Sequence, residues 1–185
     1  MRIVGGALRG RALAAPKSQA IRPTSDRLRE SVFDILAHRF GDPASGAAVI
    51  DLFAGTGALG FEALSRGAAR ALFVDDGAEA RALLRANIET LGLGGVTRIF
   101  RRDATKLGLA PPGEVFSLAF LDPPYGRGLA GPALAALVEG GWLAKGALVV
   151  VEEAAGAEIA LPPALTAEEE RRYGDTQFLF ARHGA

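Results

Sequence analysis

Residues 47 to 181 predict an α/β fold: a doubly wound, mostly parallel sheet with helices on both faces, closed by an antiparallel hairpin. Three observations carry that prediction. Short apolar runs alternate with stretches of helical period, and strands joined through helices run parallel because parallel neighbours need crossovers. The first run empties into a glycine turn, Ala54-Gly55-Thr56-Gly57. Near the end, Leu165 to Tyr173 and Thr176 to Ala181 flank Gly174-Asp175, which leaves room for a tight turn only.

The elements follow in order. Ile3-Val4 and Ala12-Leu13-Ala14 surround Arg9-Gly10-Arg11, a pattern that predicts a small hairpin with arginines at its tip. Residues 16 to 23 run from Pro16 to Pro23 with little pattern and read as a linker. Leu28, Val32, Ile35 and Leu36 then fall on one helical face, capped by Thr24 or Ser25 and ending near Phe40 and Gly41. Strands are expected at 47 to 52, 70 to 75, 96 to 101, 116 to 121 and 146 to 152. Helices are expected at 57 to 66, at 77 to 91 with Gly92 as its stop, and at 129 to 140. The chain divides into an extension, 1–40, and a main domain, 41–185.

Composition excludes several classes. With 185 residues and 49% hydrophobic side chains, the chain can bury a sizeable core and does not read as disordered. It has no cysteine, which removes disulfides and thiol chemistry, and its two histidines are too few and too far apart for a metal cluster. No signal-like start or membrane-length apolar run occurs, so a cytoplasmic location is expected. The 21 basic and 21 acidic groups sum to zero, but they are unevenly placed. Residues 1 to 30 hold seven basic side chains (Arg2, Arg9, Arg11, Lys17, Arg22, Arg27, Arg29) against Asp26 and Glu30, a net of +5. The remainder is −5. A basic arm on an acidic body suits a polyanion such as nucleic acid, although a solvated tail would carry the same charge.

Gly55, Gly57 and Gly60 after the first strand satisfy G-x-G-x-x-G, a pattern that is weak alone. The loop admits a dinucleotide or S-adenosylmethionine. A pyrophosphate would meet repulsion from Asp51 at the strand end, whereas a ligand carrying a sulfonium and an ammonium is favoured by it. Asp51 could also serve local backbone N–H groups. Asp75 ends the second strand at the distance expected of a ribose ligand, and Asp76 is placed to cap the next helix. Asp103 could accept a bond from an adenine amine or act as a helix cap.

The fourth strand ends in Asp122-Pro123-Pro124-Tyr125. Asp122 offers a carboxylate acceptor, Pro124 leaves the Pro123 carbonyl free of a local N–H partner as a second acceptor, and Tyr125 offers a face for a base. An exocyclic amine of a nucleobase is a poor nucleophile because its lone pair is delocalised. Two acceptors on its hydrogens would pyramidalise the nitrogen and aim the lone pair at a methyl donor, with Asp122 or water as proton acceptor.

Taken with the glycine loop and Asp75, this motif resembles the amino-directed, S-adenosylmethionine-dependent nucleic-acid methyltransferases. Arg22-Pro23-Thr24-Ser25-Asp26-Arg27-Leu28-Arg29-Glu30, ahead of Asp51 to Gly67, is more narrowly similar to the bacterial 16S ribosomal RNA guanine-N2 methyltransferases, the RsmD-like family. The resemblance spans nearly the whole chain. It implies a seven-stranded, Rossmann-like methyltransferase sheet and S-adenosylmethionine as cofactor, contacted by Asp51, Phe53, Ala54, Gly55, Gly57, Asp75, Asp103 and Ala104. It implies Asp122, Pro123, Pro124 and Tyr125 as the target-base site, and Arg9, Arg11, Arg22, Arg27 and Arg29 as RNA-binding residues. The implied partner is 16S rRNA in a small ribosomal subunit or assembly intermediate, met by a monomer without metal or membrane. The paired Asp75-Asp76 departs from the family pattern and leaves open which one meets the ribose.

Three other readings are carried. An N6-adenine or N4-cytosine methyltransferase would need an added target-recognition region, for which 185 residues leave no room. An NAD-binding oxidoreductase is disfavoured by Asp51. A non-catalytic RNA-binding protein would be indifferent to loss of Asp122.

Overall fold

The computed structural model describes residues 1–184. A seven-stranded sheet has the order β3-β2-β1-β4-β5-β7-β6, built from β1 (Ala48–Leu52), β2 (Arg70–Val74), β3 (Thr97–Phe100), β4 (Phe116–Leu121), β5 (Leu143–Ala154), β6 (Leu165–Tyr173) and β7 (Thr176–His183). The first five strands are parallel, and β7 enters antiparallel between β5 and β6. The order reverses beside β1, where β1 pairs β2 on one side and β4 on the other. At such a reversal the crossovers leave in opposite directions and open a crevice at the carboxyl ends of the strands.

The sheet's alternating side chains feed two apolar layers. Val49, Phe73, Leu118, Phe120 and Val150 point to one side, where α1 (Asp26–Arg39), α2 (Ala58–Ser65) and α3 (Ala78–Leu91) pack. Ile50, Leu72, Ala119, Leu121 and Val149 point to the other, where α4 (Ala130–Glu139) packs. Fully buried Trp142 closes this second layer, its indole N–H donating to the Gly108 carbonyl at 2.8 Å. Among the described residues, no helix is long and apolar enough to cross a membrane.

The elements at 116 to 121 and in the final hairpin lie where the residue pattern puts them. Two details differ. β5 begins at Leu143, three residues before the run Gly146 to Glu152, because the chain crosses Gly146 at φ 76 as the β4–β5 register shifts; glycine admits such an irregularity in a strand. Helix α1 is capped by Ser25, whose hydroxyl accepts from the Leu28 N–H at 3.2 Å, and it is rotated from the expected face. Its buried residues are Arg29, Val32, Phe33 and Leu36, while Leu28 and Ile35 are only partly covered.

The extension is sewn to the body. Arg2 and Ala12 pair in a short antiparallel bridge, the N–H of Ile3 donating to the Arg11 carbonyl and that of Leu13 to the Met1 carbonyl, both at 3.0 Å, with the turn at Gly5 to Gly10. Fully buried Glu62 of α2 accepts from the N–H groups of Val4 at 3.0 Å and Gly5 at 2.8 Å. Asn87 of α3 accepts from Ala14 N–H at 2.8 Å and donates to the Thr56 carbonyl at 3.0 Å. Ile3, Leu13, Val32, Phe33 and Leu36 share one apolar cluster with the sheet. Each such side chain contributes roughly 1.5–3 kcal/mol on burial, so residues 1–40 are held by the same core as the rest.

Candidate active site

A cleft of about 520 Å³ opens at the carboxyl ends of the parallel strands. Its walls are Asp51 of β1 with the loop Phe53 to Thr56, the turn from Asp75 into α3, the turn Asp122 to Tyr125 after β4, Glu152 of β5, and a strap of residues 19–24 from the extension.

Asp51 is buried, and its carboxylate accepts the Gly60 N–H of α2 at 3.0 Å. Burial raises its pKa, the Gly60 bond opposes that, and the Asp75 charge adds to it; the result is a carboxyl pushed up to about 8. Asp75 accepts from Gly55 N–H at 3.0 Å and Gly77 N–H at 2.8 Å, so one carboxylate braces both the glycine loop and the entry to α3. Asp76 therefore is not the cap expected of it. The N-cap of α3 is Gly77, and Asp76 stands exposed at the cleft rim. Phe53 faces the cleft in a left-handed conformation with φ 55, a strain that a non-glycine residue rarely carries outside a functional loop. Gly57 caps α2 at φ 79, and an added Cβ would lie 2.5 Å from Phe61 and 2.6 Å from Leu84; it serves helix packing behind the loop.

At the other end, Asp122, Tyr125, Thr24 and Glu152 form one network. The Thr24 hydroxyl lies 2.7 Å from Glu152 Oε2 and 3.3 Å from Asp122 Oδ2. Tyr125 Oη donates to Glu152 Oε1 at 2.7 Å and lies 2.8 Å from Thr176 Oγ1 of β7. Burial raises the pKa of Asp122 well above the usual carboxylate range, helped by the charges of Glu152 and Asp51, with Thr24 and Arg22 opposing. Burial likewise raises Glu152, against the hydrogen bonds from Thr24 and Tyr125. The Tyr125 hydroxyl is also pushed up, so it stays protonated and can donate. Arg22 of the strap lies over the Tyr125 ring, 4.8 Å from its centroid.

The cleft brings together Asp51, Phe53, Ala54, Gly55, Asp75, Asp122, Pro123, Pro124, Tyr125 and Arg22. Asp103 and Ala104 are outside its walls. Asp103 folds onto its own turn, accepting from the N–H of Thr105 at 2.9 Å and its hydroxyl at 2.7 Å, and Ala104 is buried in the second apolar layer. Arg9, Arg11 and Arg27 are exposed away from the cleft, Arg11 donating to the Thr90 carbonyl at 2.8 Å. Arg29 corrects the expectation from charge: it is fully buried, pairs with Asp26 at 2.7 Å and Glu62 at 3.7 Å, and donates to the Arg2 carbonyl. A side chain without solvent exposure holds the fold and has no surface to offer a phosphate.

Glu152, Thr24 and Glu79 line the cleft without having been expected there. Glu152 was legible by the reasoning applied to Asp51 and Asp122, being an acid where a parallel strand enters the crevice, but β5 runs on past it through Glu153 to Ala154, so it does not mark the strand's end. Thr24 belongs to the Arg-Pro-Thr segment, and nothing local announces that its hydroxyl reaches β4 and β5.

The donor set decides which ligand the cleft suits. Around the glycine loop stand Asp51, Asp75, Asp76 and Glu79, and the cleft's lining holds one cation, Arg22, beside Tyr125. A pyrophosphate against that loop would face carboxylates, while a ligand with positive charge and hydroxyl groups finds acceptors throughout.

Comparison with known proteins agrees. The family model described as conserved hypothetical protein 95 matches residues 1–182. Ribosomal RNA small subunit methyltransferase D of Escherichia coli is 43% identical over 82% of this chain and 74% of its own length. The protein of the same name from Haemophilus influenzae is 32% identical over 94% of this chain and 89% of its own. Among solved structures, Escherichia coli yhhF superposes with a TM-score of 0.84 at 33% identity, covering 100% of this chain and 98% of the other. A hypothetical protein of Thermus thermophilus gives 0.76 at 33% identity, covering 97% and 98%.

Proposed function

The chain belongs to the conserved hypothetical protein 95 family, that of ribosomal RNA small subunit methyltransferase D, and on that premise we propose that it methylates the exocyclic N2 amine of a guanine in 16S rRNA. The single observation that carries this reading is the cleft, which joins an acid-lined glycine loop to Asp122 and the Tyr125 ring in one cavity.

S-adenosylmethionine, when bound, supplies an electrophilic methyl on a cationic sulfur. Asp51 and Asp75 stand where they would hold its positive charge and hydroxyls, and Gly55 keeps the loop close. Tyr125 offers the target base a stacking face, its hydroxyl fixed by Glu152 and Thr176 so that the ring cannot swing away. Asp122 accepts a hydrogen of the amine, orients the nitrogen lone pair toward the methyl, and takes the proton released as the nitrogen is alkylated. Positioning accounts for most of the acceleration, since the groups are held in place before the base arrives. Exposed Arg9, Arg11 and Arg27 supply cations for RNA phosphates. The substrate is the RNA of a small subunit or assembly intermediate, met by a cytoplasmic monomer.

The test is to incubate the protein with labelled S-adenosylmethionine and small ribosomal subunits from a strain lacking the enzyme, then to identify the product by mass spectrometry. Guanine methylated at N2 is expected, and Asp122→Ala should abolish it. A methyl on any other atom would overturn the assignment, and unchanged transfer by Asp122→Ala would overturn the role of the acid.

A further inference from the structure

We propose that Asp122 and Glu152 work as one proton-sharing pair joined by the Thr24 hydroxyl, with Glu152 setting the state in which Asp122 can take the proton of the target amine.

Thr24 Oγ1 carries one hydrogen, yet it stands 2.7 Å from Glu152 Oε2 and 3.3 Å from Asp122 Oδ2. If both carboxylates were ionised, the hydroxyl could donate to one of them and would present only lone pairs to the other. A single extra proton removes the conflict. With that proton on Asp122, Asp122 donates to Thr24 and Thr24 donates to Glu152. With it on Glu152, both bonds reverse and Asp122 is an ionised acceptor. The second oxygen of Glu152 is already served by Tyr125 Oη at 2.7 Å. The pair is therefore complete with one proton and can place it at either end.

The surroundings favour that occupancy. Asp122 is faced by Asp51 from β1 and Glu152 from β5, and Glu152 by Glu153 on its own strand; Arg22 of the strap is the cation near both, and Tyr125 stays neutral. Like charges at this range in a desolvated cleft keep two carboxylates from ionising together. Histidine and lysine take no part in this surrounding.

The consequence for the reaction rests on the proposed amine methylation. For transfer the resident proton passes through Thr24 from Asp122 to Glu152, and Asp122, now ionised, accepts a hydrogen of the amine. The nitrogen forms its bond to the methyl carbon as the carbon–sulfur bond breaks, and that electron pair remains on sulfur. The cationic nitrogen then passes one proton to Asp122. The pair now holds two, and one leaves to water through the cleft. Glu152 acts through Thr24 and Asp122 and is a positioning residue for the proton.

The experiment has two arms. In the first, without RNA, the side-chain carboxyls of the free protein are titrated by carbon-13 NMR. Asp122 and Glu152 should titrate in two coupled steps, and Glu152→Gln should collapse these into one step for Asp122, moved at least about one pH unit toward acid by loss of the neighbouring charge. In the second, single-turnover rates are measured against pH. Glu152→Gln should move the acidic limb in the same direction. Thr24→Val should slow turnover roughly 10-fold with the affinity for S-adenosylhomocysteine retained, and Thr24→Ser should restore most of the rate. Independent one-step titrations, an acidic limb unmoved in Glu152→Gln, or Thr24→Ser no faster than Thr24→Val would overturn the pair. A product other than N2-methylguanine would condemn the substrate assignment, and the RNA-free titration would still judge the pair.

Discussion

Replacing Glu62 by glutamine removes the group on which the extension and the body meet. Its carboxylate, with no exposure to solvent, accepts from Val4 N–H at 3.0 Å, Gly5 N–H at 2.8 Å and Arg66 Nε at 3.0 Å, and it faces Arg29 Nε at 3.7 Å. Arg29 is equally buried, and its Nε and Nη1 have no hydrogen-bond partner among the described residues; Asp26 pairs with its Nη2 at 2.7 Å from a half-exposed position, and Glu62 is the carboxylate buried beside it. The amide keeps the shape but loses the charge, and it turns an NH₂ toward groups that are themselves donors. Breaking a buried ion pair in this way costs about 3–5 kcal/mol. For a chain of this size, each kcal/mol lowers the melting temperature by about 2–4 °C, so a fall of roughly 6–20 °C is expected. Calorimetry measures it, and hydrogen exchange locates it: the amides of Val4, Gly5 and Leu8 should lose protection first, because their acceptors, Glu62 and Ser65, belong to the same junction. A fall under about 2 °C, or amides of the extension that stay protected, would refute the reasoning.

The remaining expectations concern pH, RNA and the strap. Asp51 has a folded pKa above its unfolded one, so the folded state holds a proton that the unfolded chain releases. Asp51 therefore takes stability from the ligand-free protein as pH climbs from about 4 to about 8, at no more than about 1.4 kcal/mol per unit, and the raised Asp122 and Glu152 act in the same direction. Asp51→Asn should be free of the Asp51 share of that loss, its advantage over the parent growing from pH 5 to pH 8 in urea denaturation; a constant difference would show that Asp51 titrates normally. Arg9→Gln with Arg11→Gln should lower RNA affinity and reduce the slope of log K against log salt by roughly 1.5, with S-adenosylhomocysteine binding intact. Equal loss of both affinities would mean that the two arginines support the fold. Glu79 accepts from the N–H groups of Lys17 at 2.8 Å and Ser18 at 3.0 Å and from the Ser18 hydroxyl. Glu79→Ala should speed proteolysis within residues 16–23 while global stability changes by less than about 0.5 kcal/mol, and unchanged cleavage would show that the strap is held elsewhere.

The strands and most helices could be read from local pattern because each apolar run is decided by its own alternation and length. The cleft's acids at Asp51, Asp75 and Asp122 were legible for a related reason: an acid at the carboxyl end of a strand has its direction set by the strand. Arg29 was not, because charge counting treats all arginines alike and the burial of this one depends on Glu62, 33 positions later in the sequence. The same pairing explains the rotation of α1, since a face centred on Val32 and Phe33 carries Arg29 with it. Thr24 and Glu152 are separated by 128 positions and meet only because the strap ahead of α1 crosses the cleft where β5 enters it. Asp103 was expected as an adenine ligand or a helix cap; its carboxylate accepts from Thr105 in a turn, and no helix begins there among the described residues.

The Tyr125 ring is a seat with an occupant. A guanidinium rests on its face, and under the proposed function a planar base stacking there must first displace it. Stacking a base returns roughly 1–3 kcal/mol against about 0.5–1 kcal/mol for an exposed cation over a ring, so the exchange runs forward, but only by the difference. The displaced Arg22 leaves with its charge unspent, at the rim where the backbone of an entering nucleotide would pass. Discrimination thus falls on molecules that bring both a flat ring and an anion, since a free base would evict the arginine without giving it a new partner.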